Sequence, residues 1–181
     1  SAALQNIDTT DTVEFSRAEI VLRHQATTLA MMLKKYIPGF EQAYINWTPA
    51  FAGVRYTRAI ICEHDMTNDE IVNGTRFEDE VMLYGFHDCA PKVKIKNAGY
   101  YGIPYRAFIP IKLEGMLVGG RLITTEWTAH MSTRNTGSCL AQGQAIGTAA
   151  ALSVKDNCAI REIDIRKLQT ILREQGVFLG D

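Results

Sequence analysis

The chain has 181 residues, 46% of them apolar and 22% charged, with 19 basic against 20 acidic side chains, the balance of a soluble protein of one domain or two small ones. It shows no run of about 18 uncharged apolar residues and no basic stretch leading into an apolar one, so neither a membrane span nor a signal peptide is expected. The charge is uneven: residues 1–90 carry 7 basic and 13 acidic side chains and residues 91–181 carry 12 and 7, which makes the second half the expected home of an anion, while basic residues this scattered exclude a nucleic-acid footprint.

The first predicted element follows Asp11-Thr12. Phe15, Ala18, Leu22, Ala26, Leu29, Met32 and Leu33 recur at three- and four-residue spacing, the pattern of an amphipathic helix that stops at Pro38-Gly39. Met31-Met32 belongs to its packing side, and His24 reads as an ordinary helix histidine. Val54 to Cys62 is rich in strand formers and predicts a strand. Thr67-Asn68-Asp69-Glu70 is a capping box opening a short helix that Asn73-Gly74 closes. Glu80 to Tyr84 predicts another strand. Ala90 to Asn97 is a lysine-rich loop or edge hairpin.

Pro104 and Pro110 allow at most an edge strand or extended segment between them. Met116-Leu117-Val118 reads as a short buried strand ending at Gly119-Gly120-Arg121, followed by a polar loop that holds His130 and Arg134. Ser138 to Val154 is a helix of very small residues, and Asp164 caps a last helix ended by Gly176. There is no internal repeat. The start, Ser1-Ala2-Ala3, suggests a processed end, a tag scar or an excised fragment.

Cys62, Cys89, Cys139 and Cys158 read as free thiols of a reducing compartment, which makes a cytoplasmic location the default. Cys62-x-His64 with His87-x-Cys89 contains a zinc-like donor set, but ligands one residue apart rarely chelate one ion, so no metal is expected. No Gly-x-Ser-x-Gly elbow accompanies Ser138. Residues 116–151 are the chemically richest stretch: a double glycine, then Thr136-Gly137-Ser138 opening a helix whose free amides and positive end suit an electron-rich ligand. Gly143 and Gly147 serve equally well for close helix packing. Arg55 and Arg58 are substrate-facing cations or exposed strand charges.

The segment Tyr101-Gly-Ile-Pro-Tyr-Arg-Ala-Phe-Ile-Pro110, then Met116-Leu-Val-Gly-Gly-Arg121, His130, Arg134 and Gly137-Ser-Cys-Leu-Ala-Gln-Gly-Gln-Ala-Ile-Gly-Thr-Ala-Ala-Ala151, resembles the C-terminal part of the FAD-dependent oxidoreductases of the fumarate-reductase-like superfamily. Upstream, the runs Gly53 to Ile60 and Thr67 to Val81 are similar to that family's substrate-side region. The resemblance implies an α/β chain, with residues 1–100 a substrate-domain remnant and 101–181 a C-terminal flavin-facing segment. It implies FAD contact by Gly120, Arg121, Thr136, Gly137, Ser138 and Cys139, and substrate binding or proton transfer by His130, Arg134, Arg55 and Arg58.

Two departures stand out. Tyr56 occupies a position where many relatives carry Glu. The dinucleotide fingerprint Gly-x-Gly-x-x-Gly is missing, so the chain alone is not expected to hold FAD tightly. The expected partners are a small organic substrate and a dinucleotide-binding half or separate flavin-binding chain. The alternative is a non-catalytic binding or interaction module that self-associates as a homo-oligomer or pairs with a separate flavin-binding chain.

Overall fold

A computed structural model describes residues 4–90 and 92–180. Ser1-Ala2-Ala3 lies outside them, as does Pro91 within the lysine-rich stretch. The chain divides into two compact units, residues 1–57 and 58–181.

The first unit is built on α1 (Thr12–Tyr36). Asp11 caps it, its carboxylate accepting from the amides of Val13 at 2.8 Å and Glu14 at 3.1 Å. Glu14 in the first turn and Lys34 and Lys35 in the last complement the helix dipole. The helix ends at Ile37, because a residue before proline is pushed out of the helical region. The segment that follows is tied back to α1 by two side chains. Arg23 donates to Thr48 Oγ1 at 2.7 Å and to the carbonyls of Pro49 and Ala50, and Glu19 Oε1 accepts from the Ala52 amide at 2.7 Å.

Packing on α1 follows the amphipathic reading in part. Ala18 is its buried residue, whereas Leu29, Met31 (58% exposed) and Met32 (52%) face outward. The helix meets segment 48–53 along Glu19, Leu22, Arg23 and Ala26, which line an open groove. Of the apolar stripe, Ala18 is buried, Leu22 and Ala26 face this segment and Phe15 and Leu33 are half-buried, while Leu29 and Met32 lie outside the packed part. The methionines are therefore not core residues.

The second unit contains α2 (Asn68–Asn73), β1 (Glu80–Tyr84), β2 (Tyr101–Pro104), α3 (Trp127–Thr133), α4 (Thr136–Asp156) and α5 (Ile165–Glu174). It is a mixed helix and sheet unit, consistent with the α/β reading. The strands pair antiparallel, with Tyr84 opposite Tyr101 and an irregularity between Glu80 and Met82. Val81, Met82, Tyr101 and Ile103 of the sheet pack with Ile71 of α2, Ala145, Ala149 and Leu152 of α4 and Leu168 and Leu172 of α5. This pairing crosses residue 100, so the compact division at 57/58 does not coincide with the expected segment boundary.

Local chemistry explains the element ends. In the capping box, Thr67 Oγ1 accepts from the Glu70 amide at 3.2 Å while Glu70 Oε2 accepts from the Thr67 amide at 2.8 Å. Gly74 then takes a left-handed conformation, φ +63°, and stops α2. Asp164 caps α5 through the amides of Arg166 and Lys167.

Four expectations are corrected. Val54 to Cys62 forms no strand: only single bridges join Ile60 to Ile123 and Cys62 to Pro110, because no neighbouring segment runs alongside for longer. Met116 to Val118 is also outside any strand; Met116 is exposed and Val118 is held by one bond to the Phe108 carbonyl. Between the two prolines, Tyr105–Phe108 winds into a 3-10 turn, drawn in by Asp79, whose carboxylate pairs with the Arg106 guanidinium and accepts from the Arg106 amide. The polar loop before α4 is instead α3, which buries Ala129, His130, Ser132 and Thr133.

Candidate functional site

The start of α4 gathers most of the residues singled out in the sequence. Asn135 occupies the cap position but does not cap: its side-chain amide donates backward to the carbonyls of Met131 at 3.2 Å and Ser132 at 3.1 Å. The first helical bond inside α4 runs from the Cys139 amide to the Asn135 carbonyl at 2.9 Å. Thr136 and Gly137 are exposed. Their amides thus stand at a helix end that no side chain of Asn135 neutralises, where the dipole places about half a positive charge.

Gly119 and Gly120 lie against the same helix. Gly120 has φ +77°, a conformation that favours glycine, and a Cβ there would meet Cys139 Sγ at 3.9 Å. A Cβ on Gly119 would meet Ile146 Cδ1 at 3.1 Å, tighter than ordinary contact. The residue that joins turn to helix is Gln142, with 0% exposure. Its Oε1 accepts the Gly120 amide hydrogen at 2.6 Å, and its Nε2 donates to the Thr133 carbonyl and to Ser138 Oγ, both at 3.0 Å. Gln142 was not among the predicted site residues. The available signal was its place on the stripe Ser138, Gln142, Ala145, Ala149, Leu152, the buried face of α4, where a lone amide among small apolar residues needs partners.

These contacts sort the expected cofactor ligands. The Gly120 amide and the Ser138 hydroxyl are committed to Gln142. Cys139 Sγ donates to the Arg134 carbonyl at 3.3 Å, and burial raises its pKa, with the Arg121 charge pulling the other way. Thr136 and Gly137 present their backbone at the exposed helix end, and Arg121 is exposed beside Cys139. A backbone donor pair with a nearby cation fits the electron-rich edge of a flavin.

The expected substrate-side residues are not brought together. His130 is buried in α3 and stacks on Trp127 at 6.4 Å between centroids. Arg134 is ion-paired with Asp88. Arg55 and Arg58 are exposed, and the boundary between the compact units falls between them. Tyr84, absent from the predicted set, packs its ring 3.5 Å from the Cβ position of Gly137. Its phenol is shifted upward by burial and by the charges of Asp88 and Cys139.

The zinc-like donor set is occupied otherwise. His64 Nε2 lies 3.2 Å from Glu70 Oε1. The Cys89 amide donates to His87 Nδ1 at 3.1 Å, so Nε2 carries the hydrogen and donates to the Thr128 carbonyl at 3.1 Å. Among the described residues no group of three or more His, Cys, Asp or Glu is placed to hold a metal. The four cysteines are free. Among the described residues no helix is long and apolar enough to cross a membrane.

The family model of the FAD dependent oxidoreductases matches residues 2–172, and the chain belongs to that family. FAD is the cofactor this membership implies for the intact protein. No curated protein and no solved structure matches the chain.

Proposed function

We propose that this chain supplies the C-terminal, flavin-facing part of an oxidoreductase of the fumarate-reductase-like kind, which passes a hydride between a small organic substrate and FAD. The observation that carries the reading is the uncapped start of α4, with the exposed backbone of Thr136 and Gly137 and the Arg121 cation at its side. When bound, FAD supplies the hydride chemistry. The chain's part is electrostatic: the helix end and Arg121 favour negative charge on a ligand seated there. Cys139 and Ser138 shape the site through packing and internal hydrogen bonds. On the substrate side the reading keeps Arg55 and Arg58 as exposed candidate cations for a carboxylate and, separately, His130 and Arg134 as candidate binding or proton-transfer groups.

The missing Gly-x-Gly-x-x-Gly fingerprint supports a division of labour in which another segment or chain holds the adenine, ribose and pyrophosphate. The purified 181-residue chain is then expected to show no stoichiometric flavin absorbance. A stoichiometric flavin band would overturn that part of the reading. One observation favours a second reading, a non-catalytic module that self-associates: α4 leaves Leu140, Gly143, Gly147 and Val154 exposed. Sedimentation separates the two, since a dilution-resistant homodimer that ignores FAD would support the module.

A further inference from the structure

We propose that Gln142 is a positioning residue, which holds the Gly119-Gly120 turn in register with the first turn of α4 so that Arg121 and the amides of Thr136 and Gly137 act on one ligand. The proposal rests on the reading of α4 as the flavin-facing helix.

Three segments meet on this one side chain. Its Oε1 takes the Gly120 amide, and its Nε2 takes the last carbonyl of α3, at Thr133, together with Ser138 Oγ in the first turn of α4. Both amide hydrogens and the carbonyl oxygen are thereby used, inside a region from which water is excluded. No other residue type of similar volume does this. Leucine or methionine fills the space but leaves the Gly120 amide and the Thr133 carbonyl without this partner, and glutamate accepts from Gly120 but cannot donate to Thr133 when ionised.

The stretch is held at its flanks, by the Val118 amide on the Phe108 carbonyl at 2.9 Å and the Ile60 amide on the Leu122 carbonyl at 2.8 Å, and Gln142 holds the Gly120 amide between them. Gly119 and Gly120 carry no side chains, and they approach α4 closely at Ile146 and Cys139. Arg121 follows directly, within electrostatic reach of the Cys139 thiol. Without the Gln142 bond the Gly120 amide loses its partner and the turn shifts relative to α4, so a ligand at the helix end feels less of the Arg121 charge while the amides remain.

The test is an FAD titration of the isotope-labelled chain, following the amide resonances of Thr136, Gly137 and Arg121. In the unaltered chain these three shift together with one weak dissociation constant. In Gln142→Met the constant rises about tenfold and the Arg121 shift uncouples from the other two. In Gln142→Glu, which keeps the Gly120 bond alone, it rises about threefold, and this variant carries the test if Gln142→Met does not fold. A purely structural role would lower the melting temperature while leaving the dissociation constant and the joint shifts of the folded chain intact, and that result overturns the proposal. An unaltered chain in which Thr136 and Gly137 do not respond to FAD overturns the underlying reading and the proposal with it, whereas a response unchanged by either variant overturns the proposal alone.

Discussion

Arg134 and Asp88 form an ion pair in which the arginine side chain is only 10% exposed and the aspartate 27%. The Asp88 amide in turn donates to the Met131 carbonyl at 3.2 Å, tying the loop after β1 to α3. A guanidinium this deeply placed depends on its counter-charge, because a buried cation without a partner bears most of its desolvation cost. Asp88→Asn is expected to destabilise the second unit by about 2 kcal/mol, measured by urea unfolding. An unchanged midpoint would show that Arg134 finds another partner.

Gly102 and Glu80 meet across the sheet. A methyl group at Gly102 would run into the Glu80 carboxylate and lie 3.2 Å from its Cβ. That carboxylate is nearly buried and accepts from Arg76 Nε at 2.9 and 3.0 Å and from the Phe77 amide at 3.1 Å. It cannot move aside without losing those bonds, so Gly102→Ala is expected to cost about 2 to 3 kcal/mol. Thermal unfolding checks this, and a loss below about 0.5 kcal/mol contradicts it.

Gly143 and Gly147 make the opposite prediction. They lie in the interior of α4 and a Cβ at either meets nothing within 4 Å. Alanine at each is therefore expected to stabilise the chain by itself by up to about 1 kcal/mol through helix propensity. If the same substitutions weaken association with a flavin-binding partner, the open face of α4 is a docking face; if association is untouched, it is not.

Tyr101 links stability to alkaline pH. Its phenol is buried against Ser132, 2.8 Å from Oγ, and burial raises its pKa well beyond the usual phenol range, as it also does for Tyr105. Above about pH 10 the unfolded chain releases these protons while the native chain keeps them. The unfolded state then binds fewer protons, so stability falls as pH rises. Tyr101→Phe is expected to cost about 1 kcal/mol at neutral pH and to flatten the alkaline loss by up to about 1.4 kcal/mol per pH unit. Unfolding midpoints between pH 8 and 11 would show it, and an unchanged slope would contradict the buried phenol.

The sequence was most legible where structure is decided within a few residues. Asp11, the Thr67 and Glu70 pair and Asp164 mark helix starts through bonds to nearby amides, and Gly74 marks a helix end through its left-handed conformation, with its own amide donating to the carbonyls of Glu70 and Ile71. It was least legible where partners are distant. Val54 to Cys62 has strand-forming residues but no neighbour that pairs with more than Ile60 and Cys62. Trp127 to Thr133 lacks an obvious cap and hides a helix that tertiary burial of Ala129 and His130 sustains. At the site, the helix start was readable from Thr136 to Ser138. The commitments of Arg134 to Asp88 and of Gln142 to Gly120 were not, because those pairs lie 46 and 22 residues apart in the chain.

In the proposed function the first turn of α4 faces a flavin. The most direct measurement is FAD-induced shift of every assigned amide in the unaltered chain. Shifts that are largest at Thr136 and Gly137, extend to Arg121 and saturate with one constant are the predicted result. Shifts confined to other parts of the chain, with Thr136 and Gly137 unmoved at saturation, would contradict it.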